Sequence, residues 1–194
     1  SLYPHLIMQY NISPETLLDT RHPSVTVDKI LNEDLTFEMY KDNAVCANGA
    51  MYRKDVRGFL PELMEKIYKD RTIYKKKMLE AKQQYEKKKT KALEKEISRC
   101  NNIQMARKIQ LNSAYGAIGN QYFRYYKLAN AEAITLSGQV SIRWIENKMN
   151  QKINQILKTE DVDYVIASDT DSIYLNLGPL VDAVYKGREK TNES

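Results

Sequence analysis

The chain has 194 residues, 42% of them apolar and 28% charged, with a net charge of +5. This composition can bury a core and excludes a disordered polyelectrolyte, and no apolar stretch is long enough to span a membrane or act as a signal peptide. Two widely separated cysteines, Cys46 and Cys100, fit neither a zinc spacing nor a disulfide framework, which favours a reducing compartment.

The chain opens on Ser1-Leu2-Tyr3-Pro4, an aromatic just ahead of a proline, where a strand must end and pass into a helix or loop. Taken alone, such a tyrosine is ordinary core packing. The first residue is Ser rather than Met, and the chain reads as a piece of a longer protein. Further on, Asn48-Gly49 predicts a hairpin turn joining Ala44-Val45-Cys46 to Met51-Tyr52-Arg53.

From Glu62 to Tyr115 there is no Gly or Pro, and Lys, Glu, Gln, Ala, Leu and Met fill the stretch, which predicts helix. Residues 65–108 hold 15 Lys or Arg against 6 Asp or Glu, so this segment carries the basicity and the remainder is net acidic. Leu60, Leu63, Met64, Ile67, Tyr74, Met78 and Ala81 form one apolar stripe, and Leu93, Ile97, Cys100 and Ile109 a second. A turn near Thr90 would fold the two into an antiparallel helical hairpin in which facing residue numbers sum to about 179. Arg71 then stands opposite Lys108, and Lys75 near Gln104. Lys108, Asn112 and Tyr115 share a helix face at i, i+4 and i+7. Cations converging above a helical Asn and an aromatic suit a polyanion stacked on a base, such as a nucleoside triphosphate. The alternative is cations dispersed into solvent and Tyr115 buried as core.

Residues 131–157 read as a long amphipathic helix, with Val140, Ile142, Trp144, Ile145, Ile153 and Ile156 directed under a sheet. Two β-strands, Tyr164-Val165-Ile166-Ala167 and Ile173-Tyr174-Leu175, flank Asp169-Thr170-Asp171-Ser172. Two carboxylates one residue apart on a stiff hairpin can bind Mg²⁺ and leave coordination positions for phosphate oxygens. An Asp-rich turn without a ligand is the plainer alternative. The tail, Lys186 to Ser194, is polar enough to fray.

Three runs therefore stand in fixed order: SLYP at 1–4, KIQLNSAYG at 108–116 and SDTDS at 168–172. This ordered set resembles the polymerase core of family B DNA polymerases, as the end of motif A, motif B and motif C. Asn11-Ile12-Ser13-Pro14-Glu15-Thr16, Tyr122-Phe123-Arg124-Tyr125-Tyr126 and Ala133-Ile134-Thr135 look most like the replicative polymerases of T-even-type bacteriophages and their marine relatives.

The resemblance implies an α+β fold: a palm with an antiparallel sheet at 1–60 and 117–194, and helical-hairpin fingers at 61–116. It implies template-directed DNA synthesis from deoxynucleoside triphosphates by two-metal catalysis with Mg²⁺, primer-template DNA as partner, and a viral protein acting in the cytoplasm of a bacterial host, with no membrane. Tyr3 would be the steric gate under the sugar, with the backbone of Ser1 and Leu2 along the triphosphate. Arg71, Lys75 and Lys108 would hold the phosphates, Asn112 and Tyr115 would line the nucleotide pocket, and Gly116 would let the helix approach the nascent base pair. Asp171 would be a metal ligand, with Asp169 its less direct neighbour.

The family's other key acid precedes the Ser of SLYP by three residues, upstream of Ser1, so the chain alone is not expected to catalyse. Its exonuclease and thumb lie outside this sequence, as would any sliding-clamp contact at the C-terminus. Ala167-Ser168 stand where many relatives carry Tyr-Gly, and His5 where many carry Ser. Two other readings remain: a non-catalytic nucleic-acid-binding module, and one subunit of a naturally split polymerase.

Overall fold

The computed structural model describes residues 2–36 and 41–185. The predicted contact of Ser1 and the predicted fraying of Lys186 to Ser194 lie outside the described residues. In chain order the elements are α1 (Leu2–Tyr10), β1 (Leu17–Arg21), α2 (Val27–Leu31), β2 (Asn43–Val45), β3 (Ala50–Arg53), α3 (Phe59–Lys87), α4 (Lys91–Ile118), α5 (Leu128–Leu157), β4 (Val165–Asp169), β5 (Ser172–Leu175) and α6 (Gly178–Val184). The fold is α+β, as expected.

Where one antiparallel sheet was expected, the described residues form two. One has the order β1-β3-β2 and the other is the isolated pair β4-β5. The predicted Asn48-Gly49 turn joins β2 to β3, with Ala44 opposite Tyr52 and Val45 opposite Met51. Gly49 sits at φ +79°, and a Cβ there would collide with the carbonyl of His22.

The centre of the molecule is α1. Its Leu6 and Ile7 join Ile12, Tyr52, Leu60, Met64, Leu111, Ile118, Ala131, Ala133 and Ile134 in one buried cluster drawn from α1, three further helices, the loop after α1 and the larger sheet. At 0% exposure, Ile7, Leu111 and Ile134 are each worth about 1.5–3 kcal/mol of burial.

Helices α3 and α4 form the predicted hairpin. Lys88 ends α3, and the Thr90 side chain caps α4 by accepting from the Leu93 amide at 3.3 Å. With 29 and 28 residues the arms extend roughly 40 Å, so only the base of the hairpin reaches the shared core. Farther out, Met78 and Ala81 face Cys100 and Gln104 in a seam of their own. Two residues of the predicted stripes lie outside it: Leu63 is 44% and Ile109 59% exposed. Ile109 is nine residues from Cys100, about half a revolution around the helix, and the inward positions are taken by Gln104 and Leu111.

The predicted helix at 131–157 is present, yet its buried side differs from the expectation. Trp144 and Ile156 are half exposed, and the covered face is Asn130, Ala131, Ala133, Ile134, Ser137 and Gly138, with Ile153 near the far end. Small residues win there because α1 crosses α5 closely. A larger side chain at Gly138 has no room, its Cβ falling 3.3 Å from Tyr3 Cε1 and 3.6 Å from Leu6 Cδ1.

The loop after α1 fixes the start of α3. Asn11, in the left-handed region at φ +57°, donates to the carbonyls of Arg53 at 2.7 Å and Val56 at 2.8 Å and accepts from the Gly58 amide at 2.9 Å. Ser13 Oγ accepts from Leu60 N, and Glu15 accepts from Phe59 N at 2.6 Å. The first amides of α3 are thus capped from a distant loop rather than by Gly58 itself. Partial burial works against the Glu15 charge, but hydrogen bonds from Ser13 and from the Phe59 amide hold its carboxyl below the usual range.

Asn11→Ala strands one buried amide and two carbonyls and leaves alanine in a left-handed backbone. It should cost about 3 kcal/mol or more, read by urea denaturation of the chain. A loss under about 1 kcal/mol would show that the loop does not anchor α3.

Candidate functional site

The first turn of α1, the inner half of α4 and the β4-β5 turn meet around one cavity of about 140 Å³. It is lined by Leu2, Tyr3, Pro4, Asn112, Thr170 and Asp171. Each of the three sequence runs contributes to this wall although they are far apart in the chain. A larger cleft of about 540 Å³ lies against the C-terminal half of α5, between Asn147 and Asp163, and none of the motif residues lines it.

Tyr3 is held from two sides. Its ring lies 4.7 Å from that of Tyr115, inclined by 53°, and the face of Gly138 is behind it. Burial first, then the neighbouring Tyr115 and Asp171 oxygens, push its phenol above the ordinary tyrosine range, so it stays a neutral donor. Pro4, buried in the first turn of α1, adds a fixed φ where no intrahelical amide bond is required. A strand was expected to end at Tyr3-Pro4; among the described residues both lie instead in the first turn of α1, which begins at Leu2.

The β4-β5 turn separates its two acids. Asp169 and Ser172 form the last strand pair. Thr170, a β-branched residue, is held at φ +47°, and the Asp171 amide donates to the Asp169 carbonyl at 2.5 Å. Asp171 lines the cavity, whereas the Asp169 carboxylate accepts from Thr170 Oγ1 at 3.0 Å and is absent from the cavity wall. No cluster of three or more His, Cys, Asp or Glu capable of holding a metal occurs among the described residues. The donor set is hard oxygen from one lining carboxylate and its neighbour, which suits Mg²⁺ completed by phosphate oxygens and water.

On the outer side, Asp70 pairs with Arg107 across the hairpin at 3.4 Å, so facing numbers sum to 177 rather than about 179. Arg71 is level with residue 106 and Lys75 with 102, two residues from the predicted partners. At 1.5 Å per residue, Lys75 is about 9 Å farther toward the tip than Lys108. Arg71 is half-buried with its Nε unpartnered, and Lys75 and Lys108 are exposed. Lys108 shares its helix face with Asn112, which lines the cavity, and Tyr115, which packs on Tyr3. Gly116 faces open space, with nothing within 4 Å of a Cβ placed on it.

Two neighbours of the site were not singled out in the sequence. Arg107 could have been found from the hairpin register, once Asp70 was placed opposite it. Gly138 carries no motif signal, and only the closeness of α1 reveals it.

The chain matches the model of DNA polymerase family B over residues 1–185, and it belongs to that family. It is 34% identical over 95% of its length to the DNA-directed DNA polymerase of Escherichia phage RB69, and 33% identical over 98% to that of Enterobacteria phage T4. DNA polymerase beta of African swine fever virus is 29% identical over 98% of the chain. The chain spans 25% of the RB69 protein and 26% of the T4 protein.

Gly138→Ala should displace the Tyr3 ring by a few tenths of an ångström and cost about 1–3 kcal/mol. Weaker nuclear Overhauser effects between the Tyr3 and Tyr115 rings, together with a lower melting temperature, are expected. Unchanged values of both would refute the close contact.

Proposed function

We propose that the chain is the palm and fingers portion of a template-directed DNA polymerase of bacteriophage type, acting inside a bacterial host. Residues 1–60 and 117–194 would be palm, and 61–116 fingers. The observation that carries the reading is the single cavity walled by Tyr3, Asn112 and Asp171. Membership of DNA polymerase family B and similarity to two phage DNA-directed DNA polymerases support it. Among the described residues no helix is long and apolar enough to cross a membrane.

In this reading a deoxynucleoside triphosphate enters along α4. Lys108 and Arg71, with Lys75 farther out, neutralise its phosphates, and the backbone of Leu2 runs beside them. Asn112 and Tyr115 bound the nucleotide pocket, and Gly116 leaves the helix surface open to the nascent pair. The Tyr3 ring lies under the sugar, where a 2′-hydroxyl would clash. Asp171, with Asp169 behind it, would hold Mg²⁺, which when bound supplies charge stabilisation for the attacking primer 3′-oxygen and the departing pyrophosphate. Sequence is read by pairing with the template, so the partners are primer-template DNA and the nucleotide. Exonuclease, thumb and any clamp-binding segment would belong to the rest of a longer polymerase.

The test is primer extension by a chimera in which residues 1–178 replace their counterpart in the RB69 phage polymerase. Mg²⁺-dependent extension is expected, with a loss of about 10³-fold or more in Asp171→Ala. Tyr3→Ala should raise ribonucleotide incorporation relative to deoxynucleotide by about tenfold or more. A folded chimera that extends nothing, or an Asp171→Ala variant within threefold of its parent, would contradict the proposal. DNA binding that is steeply salt-dependent and indifferent to Mg²⁺ and nucleotide would then favour a phosphate-gripping module.

A further inference from the structure

The β4-β5 hairpin carries Asp171 at its tip, but it is a poor platform by itself. Its strands have five and four residues, and most of their side chains are exposed. An isolated two-stranded hairpin is marginal in water, so its direction must be set from its base.

At that base, two asparagines one helical turn apart near the C-terminal end of α5 grip the incoming loop. Asn150 Oδ1 accepts from the Tyr164 amide and its Nδ2 donates to Asp163 Oδ1, both at 2.8 Å. Asn154 Nδ2 donates to the Val162 carbonyl at 2.8 Å, and its Oδ1 accepts from Thr159 Oγ1 at 2.7 Å and from Val162 N at 3.1 Å. Both ends of each amide are used, a match that neither Asp nor Leu could reproduce. The gripped segment leads into the strands. Asp163 Oδ1 also accepts from Val165 N at 2.9 Å, the Tyr164 carbonyl accepts from Asn176 N at 2.8 Å, and Tyr164 is 4% exposed. The Asn150 bond, then the Val165 amide, hold the Asp163 carboxyl below its usual range.

We propose that Asn150 and Asn154 are positioning residues, a fork that aims the β4-β5 hairpin so that Asp171 meets Tyr3 and Asn112. The consequence for catalysis rests on the polymerase reading of Asp171. The lever arm from Val165 to Asp169 is about 13 Å, so a tilt of about 5° at the base moves the tip by about 1 Å. A displacement of that size can cost about 10²-fold in rate.

The fork has a reciprocal test. Asn150→Asp sets two carboxylates at hydrogen-bond distance and breaks the fork. Adding Asp163→Asn restores the cross-link with donor and acceptor exchanged: the new carboxylate still accepts from Tyr164 N, and the new amide donates to it from the place of Asp163 Oδ1, giving up the Val165 N contact that this oxygen also accepts. In the chain itself, Asn150→Asp should raise amide hydrogen exchange across 164–175 by about tenfold while α1 and α4 stay unchanged, and the double variant should bring it back to within about threefold of the parent. In the chimera, Asn150→Asp should lower kcat about tenfold or more with KM for nucleotide within threefold, and the double variant should recover to within threefold of the parent. Asn154→Ala should reproduce both losses should Asn150→Asp not fold. Exchange or kcat unchanged in the single variants, or no recovery in the double variant, would overturn the fork. Restored exchange beside a parent chimera that extends nothing would instead sink the polymerase reading and leave the fork standing.

Discussion

The close crossing of α1 over α5 is the constraint on which the rest depends. Gly138 lets Tyr3 and Leu6 approach the helix backbone, and the same short helix sends Ile7 into the core shared with Leu111 and Ile134. Because α1 touches α4 as well as α5, it fixes where the Asn112 face of α4 stands relative to Tyr3. The aromatic contact between Tyr3 and Tyr115 then joins the site to the core, so the cavity wall is as rigid as the packing beneath it. His5 adds an edge-to-face contact with Tyr68 at 4.8 Å, tying α1 to α3 as well.

Charge is distributed against this frame in a way that suits a polyanionic ligand. The hairpin is strongly basic, and its ion pairs, such as Lys69 with Glu65 and Arg99 with Glu96, lie on its exposed surface and contribute little stability. They leave a surplus of Lys and Arg along the arms, which favours an anionic ligand. Of the two acids of the β4-β5 turn, Asp171 stands at the wall of the cavity. A ligand carrying both phosphate and bound cation would satisfy the two sides together, which neither a free cation nor a simple anion does.

Much of this was legible in the sequence where the signal was local. The absence of Gly and Pro over 62–115 gave two helices, Thr90 marked their turn, and Asn48-Gly49 marked the β2-β3 hairpin. The spacing of Lys108, Asn112 and Tyr115 put them on one face, and the order of the three runs named the family. What escaped was set by tertiary packing. Periodicity alone placed Trp144 and Ile156 inward, but a close helix crossing selects small residues, so Ala133, Ser137 and Gly138 are covered instead. Ile109 looked like stripe because it is apolar, while the buried position belongs to Gln104. Two strand sets could not be told from one continuous sheet, since alternation within a strand says nothing of its neighbour. Asn11 shows the same limit: its six-residue run matched a family pattern, but its work, holding the Gly58 that precedes α3 from 47 residues away, depends on a contact made only in the fold.

The most direct measurement of the central claim is paramagnetic broadening of the chain's amide and aromatic resonances by Mn²⁺ with dATP, against Mn²⁺ alone and dATP alone. The account predicts broadening centred on Leu2, Tyr3, Asn112 and Asp171, greatest when both are present and reduced by Asp171→Ala. Broadening centred on the Asn147–Asp163 cleft, or independent of nucleotide and of Asp171, would contradict it.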